Sequence, residues 1–313
     1  MSLEQQEIKL HNGKRVFTTL SNLSQTAIVG QKFNRVIFLF HGFPDVNTTF
    51  NKIWPLLIDH YNSLNEPVLI LAPKLRGYEK SSIGPEGEYM LPYLADDVKA
   101  WIHEVNPELN KPVNIVGHDW GAILGFKFAN MYPDLVTSMV CMAIPYLANV
   151  NPLELVWYAP EQLYLSTYFF TMQYAYFYKD KLTQDNEYLT KLWKYWSPGY
   201  KATQAEINEI REAFAKDGVV DAVTAYYRHL FRPFSLKKSR WPVDFTKVPT
   251  LILMGEDDGC MSKRLAYLEE RKLKQYGEKA KVKLLPQAGH FLQREQPKIV
   301  ADLVVEFLDQ WSK

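Results

Sequence analysis

The stretch Val116-Gly117-His118-Asp119-Trp120-Gly121-Ala122 decides the fold. It joins the apolar run Pro112 to Val116, which reads as a buried strand, to Ala122 to Met131, which reads as a helix. A chain that passes from strand to helix in so few residues must turn sharply. Glycines two before and two after a central side chain let the two elements crowd together and push that side chain outward, the geometry of a nucleophile elbow. At the apex, where an esterase or lipase carries serine, stands Asp119.

The aspartate selects the chemistry. A serine that attacks a saturated carbon leaves an ether, which water and a histidine do not readily cleave, so serine suits acyl transfer. A carboxylate leaves an ester, and an activated water hydrolyses that ester while backbone donors hold the oxyanion. The expected substrate therefore carries an electrophilic sp3 carbon, as in an epoxide or an alkyl halide. An aspartate ahead of a helix also serves as an N-cap; the flanking glycines and the preceding strand favour the nucleophile.

Upstream, Val36 to Phe40 is a fully apolar strand ending in His41-Gly42-Phe43-Pro44-Asp45. Loops at such strand ends are where open α/β sheets place their sites. Gly42 permits close backbone approach and Pro44 restricts Phe43, so the Phe43 amide is one expected oxyanion donor and the Trp120 amide the other. His41, Phe43, Trp120 and Tyr176 are expected to contact substrate. Residues 8–30 read as a hairpin turning at Asn12-Gly13. Phe50 to Tyr61 and the amphipathic Leu91 to Val105 read as helices, Val68 to Leu71 and Val136 to Ile144 as strands, and Pro145 closes this part.

From Tyr146 to about Arg240 the texture changes. Buried-strand runs give way to long helical patterns, and most of the chain's 19 tyrosines fall here. The expected organisation is a helical cap over 146–240 inserted between two parts of one core, 1–145 and 241–313. Within the cap, Gln162 to Tyr178 reads as a buried or site-lining helix and Lys179 to Glu187 as a connecting loop. Lys237-Lys238-Ser239-Arg240 reads as a solvated return linker. Strand and helix then alternate again: Thr250 to Met254 ends in Gly255-Glu256-Asp257-Asp258, and a charged helix follows near Lys263 to Tyr276. Val282 to Leu285 delivers Gln287-Ala288-Gly289-His290-Phe291. Pro297 to Trp311 closes the chain with Ile299, Leu303, Val304 and Phe307 inward. The order nucleophile, acid, histidine, each just past a strand, is that of an α/β hydrolase, with a mostly parallel sheet flanked by helices.

Composition narrows the partners. The 313 residues are 47% hydrophobic, and Lys plus Arg at 36 against Asp plus Glu at 35 leave no electrostatic footprint for nucleic acid or an anionic membrane surface. The natural partner is a small neutral molecule. No metal or cofactor is expected, and the oligomeric state stays open. Cys141 and Cys260 are too few for a disulfide framework, and the polar start from Met1 lacks a signal peptide's basic and apolar regions, so a cytoplasmic location is expected. The uncharged aromatic stretch Gln162 to Tyr178 is short for a membrane span, and the end at Trp311-Ser312-Lys313 is no peroxisomal address.

With these residues in hand, the chain resembles the soluble epoxide hydrolase group of the α/β-hydrolase superfamily over nearly its whole length. The resemblance rests on His41-Gly42-Phe43-Pro44, Gly117-His118-Asp119-Trp120-Gly121, Gly255 to Asp258 and Ala288-Gly289-His290, in the family's order. It implies Asp119 as nucleophile, Asp258 as acid and His290 as base. Glu256 and Asp257 are the neighbouring carboxylates, with Asp257 the fallback. The position of His118 inside the elbow points to packing or orientation. In the family two cap tyrosines hydrogen-bond the epoxide oxygen and protonate it, a task that suits a phenol with an ordinary pKa near ~10. One lies five residues before a glutamine, which matches Tyr168 and Gln173; the other precedes an arginine, which matches Tyr227 and Arg228. Tyr164, Tyr174 and Tyr176 on neighbouring turns compete with Tyr168. Lys74 stands where relatives often carry aspartate, and no proline follows Gln173. The expected function is conversion of an epoxide to a vicinal diol. Its rivals are a dehalogenase, which shares the aspartate nucleophile, and a non-catalytic sensor that keeps the pocket for a small ligand.

Overall fold

The computed structural model describes residues 5–230 and 240–311; Met1, Lys237-Lys238-Ser239 of the return linker, and Ser312-Lys313 lie outside them. Strand β3 (Arg35–Phe40) is followed by helix α2 (Trp54–Ser63) and β4 (Val68–Pro73), then by α3 (Leu91–Val105), β5 (Val113–His118), α4 (Trp120–Met131) and β6 (Ser138–Met142). Before them lies the antiparallel pair β1 (Gln6–His11) and β2 (Val16–Ser21), joined at Asn12 to Arg15, and a short helix α1 (Gln25–Val29). Thus the expected hairpin ends at Ser21: the Ser24 side chain accepts from the Ala27 amide and starts a helix.

With β7 (Thr250–Gly255) and β8 (Ala280–Leu285), the eight strands form one sheet in the order β1-β2-β4-β3-β5-β6-β7-β8, parallel from β4 onward. The absence of polar alternation in β3 has a direct cause. Val36, Phe38 and Phe40 enter the core on one face while Ile37 and Leu39 enter the core on the other. After β3 the chain goes to β4 on one side and then to β5 on the other, so a crevice opens at the ends of β3 and β5. The loop from His41 and the residue Asp119 both emerge there.

Asp119 sits at φ 51° and ψ −116° between β5 and α4. Two glycines make that possible. A Cβ on Gly117 would run into the Gly121 carbonyl, and one on Gly121 would run into the Phe40 carbonyl. The Asp119 amide donates to the Met142 carbonyl at 3.1 Å, tying the turn to β6.

Between β6 and β7 (Thr250–Gly255) the described residues contain only helices: α5 (Pro152–Tyr158), α6 (Glu161–Leu165), α7 (Tyr168–Thr171), α8 (Ala175–Thr183), α9 (Asn186–Trp196), α10 (Gln204–Phe214) and α11 (Val219–Leu230), besides a single 3-10 turn. The stretch expected as one helix from Gln162 is thus broken, and Tyr174 is extended at φ −129° and ψ 125°. The expected loop after Lys179 is instead the second half of α8, which buries Tyr178 and Leu182 one turn apart. The loop is confined to Gln184 and Asp185, whose side chain caps α9.

After β7 come α12 (Lys263–Leu273), β8 (Ala280–Leu285), a single turn α13 (Leu292–Glu295) and α14 (Pro297–Gln310). The buried stripe of α14 is Val300, Ala301, Val304, Val305, Phe307 and Leu308. Ile299, expected inward, is 49% exposed: the stripe begins at Val300 and continues one turn on at Val304, as expected for that residue. No helix among the described residues is long and apolar enough to cross a membrane.

The elbow predicts its own weak point. Gly121→Ala should lower the unfolding free energy by about 3 kcal/mol, since backbone cannot yield as a side chain does. Gly87→Ala, where a Cβ meets nothing within 4 Å, should be near neutral. Urea unfolding midpoints of the two variants check this.

Candidate active site

Asp119 occupies the N-cap position of α4, yet its side chain makes no capping hydrogen bond. Its Oδ1 instead accepts the Phe43 amide at 2.7 Å. The loop that carries Phe43 is held from several sides. Tyr78 Oη donates to the Gly42 carbonyl at 3.2 Å, and Trp193 Nε1 donates to the Pro44 carbonyl at 3.0 Å. Burial pushes His41 down to about 4, so its ring is neutral. Nε2 accepts the Leu75 amide at 3.1 Å, leaving Nδ1–H to donate to the Gly42 carbonyl at 3.1 Å. Both ring nitrogens of His41, expected to contact substrate, are therefore engaged with backbone, and the ring braces the loop. Trp120 presents its ring edge-on to Tyr226 and Tyr227, at 5.3 and 5.0 Å between centroids.

His290 follows β8 and lies wholly buried. Its Nε2 is 3.6 Å from Asp119 Oδ2 and its Nδ1 is 3.0 Å from Asp258 Oδ2. Of the three consecutive carboxylates, Asp258 is the one turned inward. Its Oδ1 accepts the amides of Cys260 at 2.6 Å and Met261 at 2.9 Å. Asp257 is exposed. Burial alone would discharge the imidazole; Asp258 and Asp119 outweigh it and push His290 up to about 10. His118, held down to about 4 by burial, is neutral and donates from Nε2 to the His290 carbonyl at 2.9 Å. It braces the His290 backbone from behind.

Two tyrosines meet over this group. Tyr227 packs edge-on against Phe43 at 5.2 Å, Trp120 at 5.0 Å and Tyr168 at 5.8 Å. Its Oη is buried and makes no hydrogen bond of good geometry. Burial, and then the charge of Asp119, push the Tyr227 phenol well up, with the Trp120 indole pulling the other way. Burial also pushes the Tyr168 phenol well up, and its Oη lies 3.5 Å from Cys260 Sγ. Both phenols therefore hold their protons at neutral pH. Tyr176 does not join them: it is 90% exposed on α8, with its ring against Phe177 at 5.3 Å. Tyr164 and Tyr174 are exposed too, and Tyr226 is turned away to donate to the Arg76 carbonyl at 2.7 Å.

Several residues at the site carried no signal in the sequence. The Trp196 carbonyl accepts the amides of Gly259 and His290, each at 3.0 Å, so one turn at the end of α9 fastens the loops of both Asp258 and His290. Ser197 Oγ accepts the Phe291 amide at 3.0 Å and donates to Glu295 at 2.8 Å. Arg294 reaches Asp45 and Glu206, both at 2.8 Å, and so links the Phe43 loop to α10. Asp258, Cys260 and His290 also offer oxygen, sulfur and nitrogen atoms within 4.8 Å of one another, a set chemically able to hold a metal ion. Here Asp258 and His290 are hydrogen-bonded to each other as an acid–base pair.

A sheet of this order, with a carboxylate at the elbow and a carboxylate–histidine pair past its last strands, defines a hydrolase scaffold. The family model described as alpha/beta hydrolase fold matches residues 35–297, and the chain belongs to that family. Among curated relatives, Epoxide hydrolase 4 of Homo sapiens is 27% identical over 291 residues, covering 91% of this chain and 75% of its own. The AB hydrolase superfamily protein YfhM of Bacillus subtilis is 27% identical over 294 residues, 90% of this chain and 93% of its own. The solved structure of epoxide hydrolase I from potato (Solanum tuberosum) superposes with a TM-score of 0.73 at 19% identity, over 98% of this chain and 100% of that one. That likeness concerns the fold.

The charge arrangement gives a testable sign. Stability drawn from the His290 imidazolium is full below the unfolded histidine pKa of ~6.5 and is lost as pH rises through the folded value. In the wild type that loss extends toward about 10. Asp119→Asn removes one of the two anions, so the window should close at lower pH. NMR titration of the His290 ring should show a lower pKa in Asp119→Asn than in the wild type; an unchanged value would mean that Asp119 does not act on the base.

Proposed function

We propose that the chain is an epoxide hydrolase that forms an alkyl ester on Asp119. The observation that carries this is a carboxylate, not a hydroxyl, at the elbow, facing His290 Nε2 at 3.6 Å beneath two protonated phenols. Residues 146–240 act as a cap domain over a core formed by 1–145 and 241–313, bringing Tyr168 and Tyr227 above the nucleophile. The Asp119 carboxylate attacks one ring carbon and the C–O bond breaks. The freed alkoxide takes a proton from a tyrosine.

Ester formation also changes the base. Asp119 loses its charge, so one of the two anions that raise His290 disappears and the imidazole can release its proton. Neutral His290, steadied by Asp258, takes a proton from water, and the hydroxide attacks the ester carbonyl. The oxyanion forms where Oδ1 now meets the Phe43 amide, with the Trp120 amide as the second donor. Collapse releases the diol and restores Asp119. The phenolate recovers its proton from solvent or from the imidazolium. Epoxide and water have become a diol, with nothing oxidised or reduced.

Asp119→Ala should abolish turnover of styrene oxide. His290→Gln should still open the ring but stall at the ester, so that intact-protein mass spectrometry shows a shift by the mass of the substrate. An unshifted His290→Gln protein that still binds epoxide would contradict the assignment. Removing one donor from the ring oxygen should slow alkylation roughly 10- to 1000-fold in Tyr168→Phe and in Tyr227→Phe, and nearly abolish it in the double variant. Ester hydrolysis should change far less. Stopped-flow measurement of both steps checks this, and halide release without epoxide consumption would point to a dehalogenase.

A further inference from the structure

Cys260 has no part in the mechanism above, yet it is placed among the groups that do. Its side chain is wholly buried. Its Sγ is 3.5 Å from Tyr168 Oη and belongs to a cluster with Asp258 and His290 whose polar atoms lie within 4.8 Å of one another. The nearby Tyr227 Oη and His290 Nε2 are buried without a hydrogen bond of good geometry. We propose that Cys260 is a positioning residue whose thiol donates to the Tyr168 oxygen, leaving the phenolic hydrogen free for the epoxide. The inference rests on the ring-opening role of Tyr168.

Three arguments support this direction. First, burial pushes the thiol well above its usual range, so the S–H is retained at neutral pH. Second, the phenol oxygen has lone pairs to accept while its single hydrogen is spent elsewhere. Third, as Tyr168 passes its proton to the alkoxide, its oxygen gains negative charge and the S–H bond to it strengthens. The proton moves from Tyr168 to substrate, and the sulfur keeps its own. Tyr227 has the Trp120 indole beside it instead of a thiol, so the two acids are not equivalent.

The Cys260 backbone is held without help from its side chain. Its amide donates to Asp258, and its carbonyl accepts Gln162 Nε2 at 3.0 Å. Gln162 Oε1 also accepts the Ser262 amide at 2.7 Å, so α6 fastens the segment on both sides of Met261. Removing the thiol therefore leaves the loop in place.

The test is a double-mutant cycle on the alkylation of Asp119 by styrene oxide, with ester hydrolysis measured in the same traces. Cys260→Ala should slow alkylation about 3- to 10-fold, in line with loss of one hydrogen bond, with hydrolysis unchanged. Cys260→Ser should restore the rate, and in a Tyr168→Phe background Cys260→Ala should add nothing. The infrared difference between wild type and Cys260→Ala isolates the Cys260 S–H band from that of Cys141; in Tyr168→Phe that band should move to higher frequency. A slow Tyr168→Phe with normal alkylation in Cys260→Ala, or an equal loss in both backgrounds, would overturn the role of Cys260 alone. Normal alkylation in Tyr168→Phe would overturn the ring-opening role and this inference with it.

Discussion

The hydrogen bond from the Phe43 amide to Asp119 Oδ1, at 2.7 Å, fixes where the carboxylate sits, and the surrounding structure is arranged to hold its two ends. On one side Asp119 is kept at positive φ by a turn that only glycines at 117 and 121 allow. On the other, His41, Tyr78 and Trp193 pin the loop that carries the amide. β3 and β5 are paired directly, which brings their two ends into one crevice.

A second constraint is charge. His290 stands buried between Asp119 and Asp258, and both carboxylates raise its pKa. A nucleophile that becomes neutral on forming an ester would switch its neighbour from imidazolium to base, with no movement of the chain. The α9 turn at Trp196 and Ser197 holds the Asp258 and His290 loops in register. The inserted helices are thus bonded directly to the His290 loop as well as lying over it.

How much of this was legible in the sequence follows from the range of each interaction. The elbow, the strand-end loops and the order of Asp119, Asp258 and His290 are written locally, as glycine spacing and apolar runs. They could be read before any contact was known. The sheet's parallel part was legible for the same reason, since unbroken apolar runs such as Val36 to Phe40 mean burial on both faces. The insert was legible as helical, but not in detail: its helices are short and rich in aromatic residues, and periodicity alone could not separate Tyr168 from the exposed Tyr176. Nor did the sequence show that His41 would turn both nitrogens to backbone. Cys260, Ser197, Arg294 and Glu295 meet their partners only through tertiary folding, and no spacing announces them.

The central claim is a covalent ester on Asp119, and a single turnover in heavy-oxygen water tests it most directly. With enzyme in excess over styrene oxide, hydroxide attacks the carboxylate carbon, so the label should enter Asp119 while the first diol keeps ordinary oxygen. Mass spectrometry of the peptide bearing Asp119 and of the diol reads both fates at once. Label in the first diol, with none in Asp119, would mean that water attacks the epoxide directly and would contradict the account.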